Sequence, residues 1–115
     1  MTKSLDVGSP TTLSYVSGIA DGLLSVRPGD LTFKFVEKYV NRIETVTDTE
    51  IAFAVKWLFE HGKQVTEPSG AASVAAVLKH NYNDKDTFVV AILSGGNVTA
   101  EDFSKYISLK EGDTI

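Results

Sequence analysis

The sequence predicts an α/β fold: a partial three-layer α/β/α arrangement around a small, mostly parallel sheet, with residues 1–115 as a single domain. Three observations carry this. A charge-free run, Thr87-Phe88-Val89-Val90-Ala91-Ile92-Leu93, has the composition of a strand buried on both faces. A second β-branched run, Ile43-Glu44-Thr45-Val46, alternates like a strand. Helical periods stand between and around the two, and strands joined by helices imply parallel pairing with right-handed crossovers. Two strands do not make a stable sheet, so Leu23 to Val26 or another chain is expected to add one.

The elements follow in order. Residues 1–30 are rich in Gly, Ser, Thr and Pro and read as a loop-rich opening segment, with turns at Gly8-Ser9-Pro10 and Arg27-Pro28-Gly29-Asp30. Leu31, Phe33, Phe35, Val36, Tyr39 and Val40 share one face opposite Lys34, Glu37, Lys38 and Asn41, which predicts a helix over 31–42. Thr47-Asp48-Thr49-Glu50 fits the capping box, and Ile51, Val55, Leu58 and Phe59 continue as an apolar stripe to about residue 61. Gly62 is the expected left-handed residue at its end. Pro68 suits the first position of a further helix. Its small residues, Ala71 to Ala76, suit close packing, and it ends near Lys79 and His80. Asn81 to Asp86 is a polar loop before the second strand. Thr99 and Asp102 have cap spacing for a last helix that fades by Leu109.

Composition narrows the function. Lys and Arg total 11 against 15 Asp and Glu, a net charge of −4, and no basic stripe is present to neutralise phosphate, so nucleic acid is not an expected partner. No apolar run reaches membrane-span length, and the first residues lack a signal-peptide core, so no membrane partner and a cytoplasmic location are expected. Zero cysteines exclude a thiol nucleophile, a Cys-ligated zinc site and a disulfide scaffold.

Chemistry concentrates where the second strand runs into Ser94-Gly95-Gly96-Asn97. Ligands of open α/β sheets bind at the carboxyl ends of strands, glycines let backbone approach a ligand, and Ser94 adds a hydroxyl. The same four residues also suit an ordinary tight turn. Glu67 is either an N-cap for the Pro68 helix or a site carboxylate. Asp21, within Gly18-Ile19-Ala20-Asp21-Gly22-Leu23, is either an Asx-turn residue or a site residue. His61 and His80 lie near helix ends, where a protonated imidazole complements the dipole. No Ser/His/Asp order, HExxH or Walker loop occurs, so no catalytic and no metal-ligating residue is expected.

Several segments together resemble a known family. Gly18-Ile19-Ala20-Asp21-Gly22-Leu23 and Arg27-Pro28-Gly29-Asp30-Leu31-Thr32-Phe33 are similar to the "ADGL…RPGxLTF" stretch of threonine dehydratases. Ile43-Glu44-Thr45-Val46-Thr47-Asp48-Thr49-Glu50-Ile51 resembles their "IVTVSDxEI", Glu67-Pro68-Ser69-Gly70-Ala71-Ala72 their "EPSGAA", and Leu93-Ser94-Gly95-Gly96-Asn97 their "LSGGN". The family is the fold-type II pyridoxal-phosphate enzymes, which include serine dehydratases and serine racemases. The resemblance implies part of the large domain of such an enzyme. It implies that Ser94 meets the pyridine nitrogen of pyridoxal phosphate, that Gly95, Gly96 and Asn97 form the loop around it, and that Glu67 and Asp21 lie near the cofactor.

Other family motifs have no counterpart. The "SFKxRGA" segment with the Schiff-base lysine, the "SAGNHAQG" substrate loop and the "GGGGL" phosphate loop do not occur. The chain thus corresponds to roughly the last third of such an enzyme, and is expected neither to hold pyridoxal phosphate nor to act as a lyase alone. Its expected partners are a second copy, as a homodimer, or the N-terminal part of the enzyme. The alternative is a stand-alone oligomeric binding module derived from that fold.

Overall fold

The computed structural model describes residues 1–80, 88–110, 112–113 and 115. Among them are five α-helices: α1 (Thr2–Val7), α2 (Asp30–Tyr39), α3 (Asp48–Trp57), α4 (Pro68–His80) and α5 (Ala100–Ile107). A 3-10 turn spans Asp21–Leu23, and a π-helical turn, Leu58–Gly62, runs on from α3.

The α3 start forms as its capping box requires. The Thr47 hydroxyl accepts the Glu50 N–H at 3.2 Å, and the Glu50 carboxylate accepts the Thr47 N–H at 2.7 Å. At the other end, the wider π turn takes one residue more than an α-helical turn, so the left-handed position passes to Lys63 (φ 54°) instead of the expected Gly62. Thr99 caps α5 by accepting the Asp102 N–H at 3.1 Å.

The core lies between α3 and α4. Ile51, Ala54, Val55 and Leu58 pack on Ala71, Val74 and Ala75, with Ala20 beside them. Alanines on the α4 face allow the close approach that its composition implied. The π turn carries α5 through an edge-to-face contact of Phe59 with Phe103, centroids 5.4 Å apart.

The expected parallel sheet is not formed: no residue among those described is in a strand. Residues 43–46 lead irregularly into Thr47. Residues 88–93 lie along α4, and their side chains alternate: Phe88, Val90 and Ile92 are 97%, 86% and 74% exposed, while Ala91 packs on the core. The segment has the composition of a strand and, among the described residues, no neighbouring strand to pair with. Thr87 and the expected loop 81–86 fall outside the described residues. Nor does Leu23 to Val26 supply a strand: Leu23 closes the 3-10 turn, and the Val26 carbonyl accepts one bond, from the Leu13 N–H at 2.8 Å.

Two further differences concern the first half. The opening segment contains α1, ended by Gly8 in the left-handed conformation (φ 77°), and the buried Ser4 hydroxyl accepts the Thr11 N–H at 2.9 Å. The second helix stops at Tyr39, because Val40 turns to extended backbone. Of its expected apolar face only Phe33 is buried, whereas Leu31, Phe35 and Tyr39 stay exposed.

These bare faces make the molecule open. Its radius of gyration is 15.3 Å, against about 13 Å for a compact chain of this length. Its accessible surface is 8080 Å², whereas a compact 12.4 kDa monomer has about 6,100 Å².

Candidate functional site

The start of α4 brings together two of the segments that the sequence singled out. Pro68 is the first helical residue, and the Glu67 carbonyl accepts the Ala71 N–H at 3.1 Å to open the helix. The Gly95 carbonyl is held by two donors, the Thr66 hydroxyl at 2.8 Å and the Glu67 N–H at 3.2 Å, so both its lone pairs are used. The Glu67 carboxylate does not cap α4. It crosses to residues 95–97 and accepts the Asn97 N–H at 3.1 Å.

The approach is close enough to demand glycine. A Cβ on Gly70 would stand 2.8 Å from the Gly95 carbonyl oxygen and 2.9 Å from the Thr66 hydroxyl. A Cβ on Gly95 would fall within the Glu67 carboxylate, and one on Gly96 would lie 3.2 Å from the Val65 carbonyl. The glycines thus serve contact between the two segments. Ser94 stands beside this contact, exposed, with no hydrogen-bond partner for its hydroxyl among the described residues.

Asp21 reaches the same helix end from another side. The Gly22 N–H is shared between the Asp21 carboxylate at 2.8 Å and the Ser69 hydroxyl at 2.9 Å. This is the local turn role, with one link to α4. No hydrogen bond joins Asp21 to residues 94–97 among those described.

The basic groups lie elsewhere. The Lys56 ammonium donates to the Leu109 carbonyl, Lys63 to the Glu60 carbonyl at 2.8 Å, and Lys79 to the Thr45 carbonyl at 3.1 Å. His61 stacks on Trp57, 4.9 Å between ring centroids, with Nδ1 3.0 Å from the Trp57 carbonyl. His80 Nε2 lies 2.8 Å from the Glu44 carboxylate. That contact, with Arg42 beside it, holds Glu44 below the usual carboxylate range. Among the described residues no three His, Cys, Asp or Glu side chains converge on a metal position, and no helix is long and apolar enough to cross a membrane.

Sequence reasoning missed the hydroxyls that organise this end of α4. Thr66, Ser69 and Ser73 recur at spacings of three and four, with Ser69 and Ser73 on one face of α4 and Thr66 just before it. All three hold a neighbouring segment: Thr66 the Gly95 carbonyl, Ser69 the Gly22 N–H and Ser73 the Ile92 carbonyl at 2.7 Å. The signal was present as a polar stripe within an otherwise apolar run.

Known proteins share this arrangement of segments. The family model described as "Pyridoxal-phosphate dependent enzyme" matches residues 1–95. L-threonine ammonia-lyase of Thermotoga maritima is 38% identical over 108 residues, covering 94% of this chain and 27% of its own length. Serine racemase of Dictyostelium discoideum is 39% identical over 103 residues, covering 88% and 30%. The processed form of threonine deaminase isoform 2 from Solanum lycopersicum superposes with a TM-score of 0.82 at 29% identity, covering 94% of this chain and 33% of that one. The chain therefore spans about a third or less of the length of these relatives, matching their C-terminal part. It has the α/β fold class of these neighbours, although the described residues contain none of the sheet. On the family match and these identities, the chain belongs to the pyridoxal-phosphate dependent enzymes.

Proposed function

We propose that residues 1–115 supply the Ser94 side of a pyridoxal-phosphate site in a threonine or serine dehydratase and are not a lyase on their own. The observation that carries this is the junction of Glu67 with residues 95–97, which leaves the Ser94 hydroxyl exposed and unbonded, among the described residues, beside a hydrogen-bonded backbone turn. A neutral hydroxyl there suits a ring nitrogen, the 95–97 backbone suits the ring edge, and Glu67 and Asp21 sit within reach of the same helix end. When bound, the cofactor supplies an electron sink for a substrate carbanion.

The fit covers one edge of the ring only. The amines of Lys56, Lys63 and Lys79 are tied to carbonyls away from residue 94, and no glycine-rich phosphate loop of the family type is in the sequence. A lysine, an anchored phosphate and a substrate-carboxylate loop must come from outside these residues. In the cytoplasm the same α/β unit would work joined to such a portion.

Borohydride reduction after incubation with pyridoxal phosphate, read by mass spectrometry, tests the claim of inactivity. No lysyl adduct and no deamination of threonine or serine are expected; an adduct with turnover overturns it. Mixing with the part of the Thermotoga relative outside the match tests the claim for Ser94. Restored deamination that Ser94→Ala reduces supports it. A formed complex whose activity ignores Ser94→Ala overturns it.

A second reading, an oligomeric binding module, is favoured by the surface. Roughly 2,000 Å² beyond that of a compact monomer is exposed, with apolar stripes at Phe88, Val90 and Ile92 and at Leu31, Phe35 and Tyr39. On this reading the stripes cover one another in a homodimer.

A further inference from the structure

We propose that Thr66 is the positioning residue of the 94–97 loop, with Ser73 as a second tether, so that one hydroxyl just before α4 and one on it set where the Ser94 side chain stands. The inference rests on the reading of Ser94 as a ligand-facing hydroxyl, and adds what fixes it in place.

Thr66 is 2% exposed, one of two buried polar residues among those described, so its single hydroxyl proton must be used. The Gly95 carbonyl takes it at 2.8 Å; the alternative acceptor, the Glu67 carbonyl, stands at 3.4 Å. Seven residues on, within α4, the Ser73 hydroxyl donates to the Ile92 carbonyl at 2.7 Å. Ser94 lies between these two anchored carbonyls.

Apolar packing does little to hold this stretch. Ile92 is 74% exposed, and Leu93 is exposed as well. With no strand beside it among the described residues, hydrogen bonds from α4 and the two residues just before it fix the backbone: the Thr66 and Ser73 hydroxyls, the Glu67 N–H and the Glu67 carboxylate. Of these, the Thr66 bond is the most buried and the shortest at the loop itself. Losing it would leave Gly95 on one donor at 3.2 Å, with a methyl against its free lone pair.

Amide hydrogen exchange of the 115-residue chain without cofactor tests this. Two amides report on the loop: Glu67, which donates to Gly95, and Asn97, which donates to Glu67. Val55, in the core, reports global opening. Thr66→Val is expected to speed exchange at Glu67 and Asn97 about tenfold more than at Val55, and Thr66→Ser to restore the wild-type rates. Ser73→Ala, at a half-buried position, is expected to speed the same two amides about threefold. The proposal is overturned if Glu67 and Asn97 accelerate only in step with Val55, or if Thr66→Ser fails to rescue. Should Thr66→Val not fold, Ser73→Ala carries the test, and acceleration at Glu67 and Asn97 no greater than at Val55 overturns the proposal. The measurement uses no ligand, so its failure leaves the reading of Ser94 standing, and failure of Ser94→Ala to affect restored activity leaves the tethers standing.

Discussion

The Glu67 carboxylate occupies the space beside Gly95 where a side chain would begin, and from there accepts the Asn97 N–H at 3.1 Å. Gly70 meets the same peptide from below, so one glycine faces a flexible carboxylate and the other faces backbone. Gly95→Ala can be relieved by swinging Glu67 away at the loss of one hydrogen bond, and is expected to cost about 1 kcal/mol. Gly70→Ala drives a methyl into the Gly95 peptide and is expected to cost about 1–3 kcal/mol. Urea denaturation of the two variants checks the order; an equal cost would contradict it.

The Thr47–Glu50 capping box is expected to give a pH-dependent share of stability. The Thr47 N–H, and then the Lys79 ammonium, hold the Glu50 carboxyl below its ordinary 4.5. A carboxylate with a lower pKa folded than unfolded favours folding above the ordinary value, and that share is lost as pH falls through the folded value. The denaturation midpoint should therefore decline below about pH 4.5, and Glu50→Gln should flatten part of that decline. Thr47→Ala is expected to cost about 1 kcal/mol near neutrality.

Replacing Phe88 and Ile92 together with serine is expected to leave thermal stability nearly unchanged, because both side chains are already exposed. It should lower self-association measured by light scattering. A large loss of stability would show that the 88–93 stripe is covered within one chain.

Leu31→Ser with Phe35→Ser is the matching test on α2. The Phe35 and Tyr39 rings stack at 5.9 Å on an exposed face. Reduced association without unfolding is the expected outcome, read from sedimentation and circular dichroism.

Helix starts were legible because a cap is local. Thr47 with Glu50 and Thr99 with Asp102 each lie within one turn, and both form. The strands were not legible in the same way. Phe88 to Leu93 has strand composition, yet a strand is a relation between two segments, and composition reports only one of them. The π turn at Leu58–Gly62 also escaped notice, since the stripe of Leu58 and Phe59 suits either winding. At the site, Glu67 and residues 95–97 were singled out from sequence and do meet. That Glu67 spends its carboxylate on Asn97 instead of its own helix could not be read locally, because the choice depends on Gly95 lying within reach. Thr66 shows in sequence only as one member of the hydroxyl series with Ser69 and Ser73, and that it is buried on the Gly95 carbonyl depends on the partner it meets.

The π turn also fixes the tolerance of this region to changes in chain length. It closes with the Lys63 N–H on the Leu58 carbonyl, which the Gln64 N–H also reaches at 3.2 Å, and residues 63–67 then lead outside any helix to α4. Deleting one residue between 58 and 62 would let α3 continue with ordinary α-helical winding, a relaxation in itself. The following segment would then arrive rotated by about 100°, turning Thr66 away from Gly95. The single extra residue therefore works as a spacer: its side chain is replaceable, but its place in the count is not.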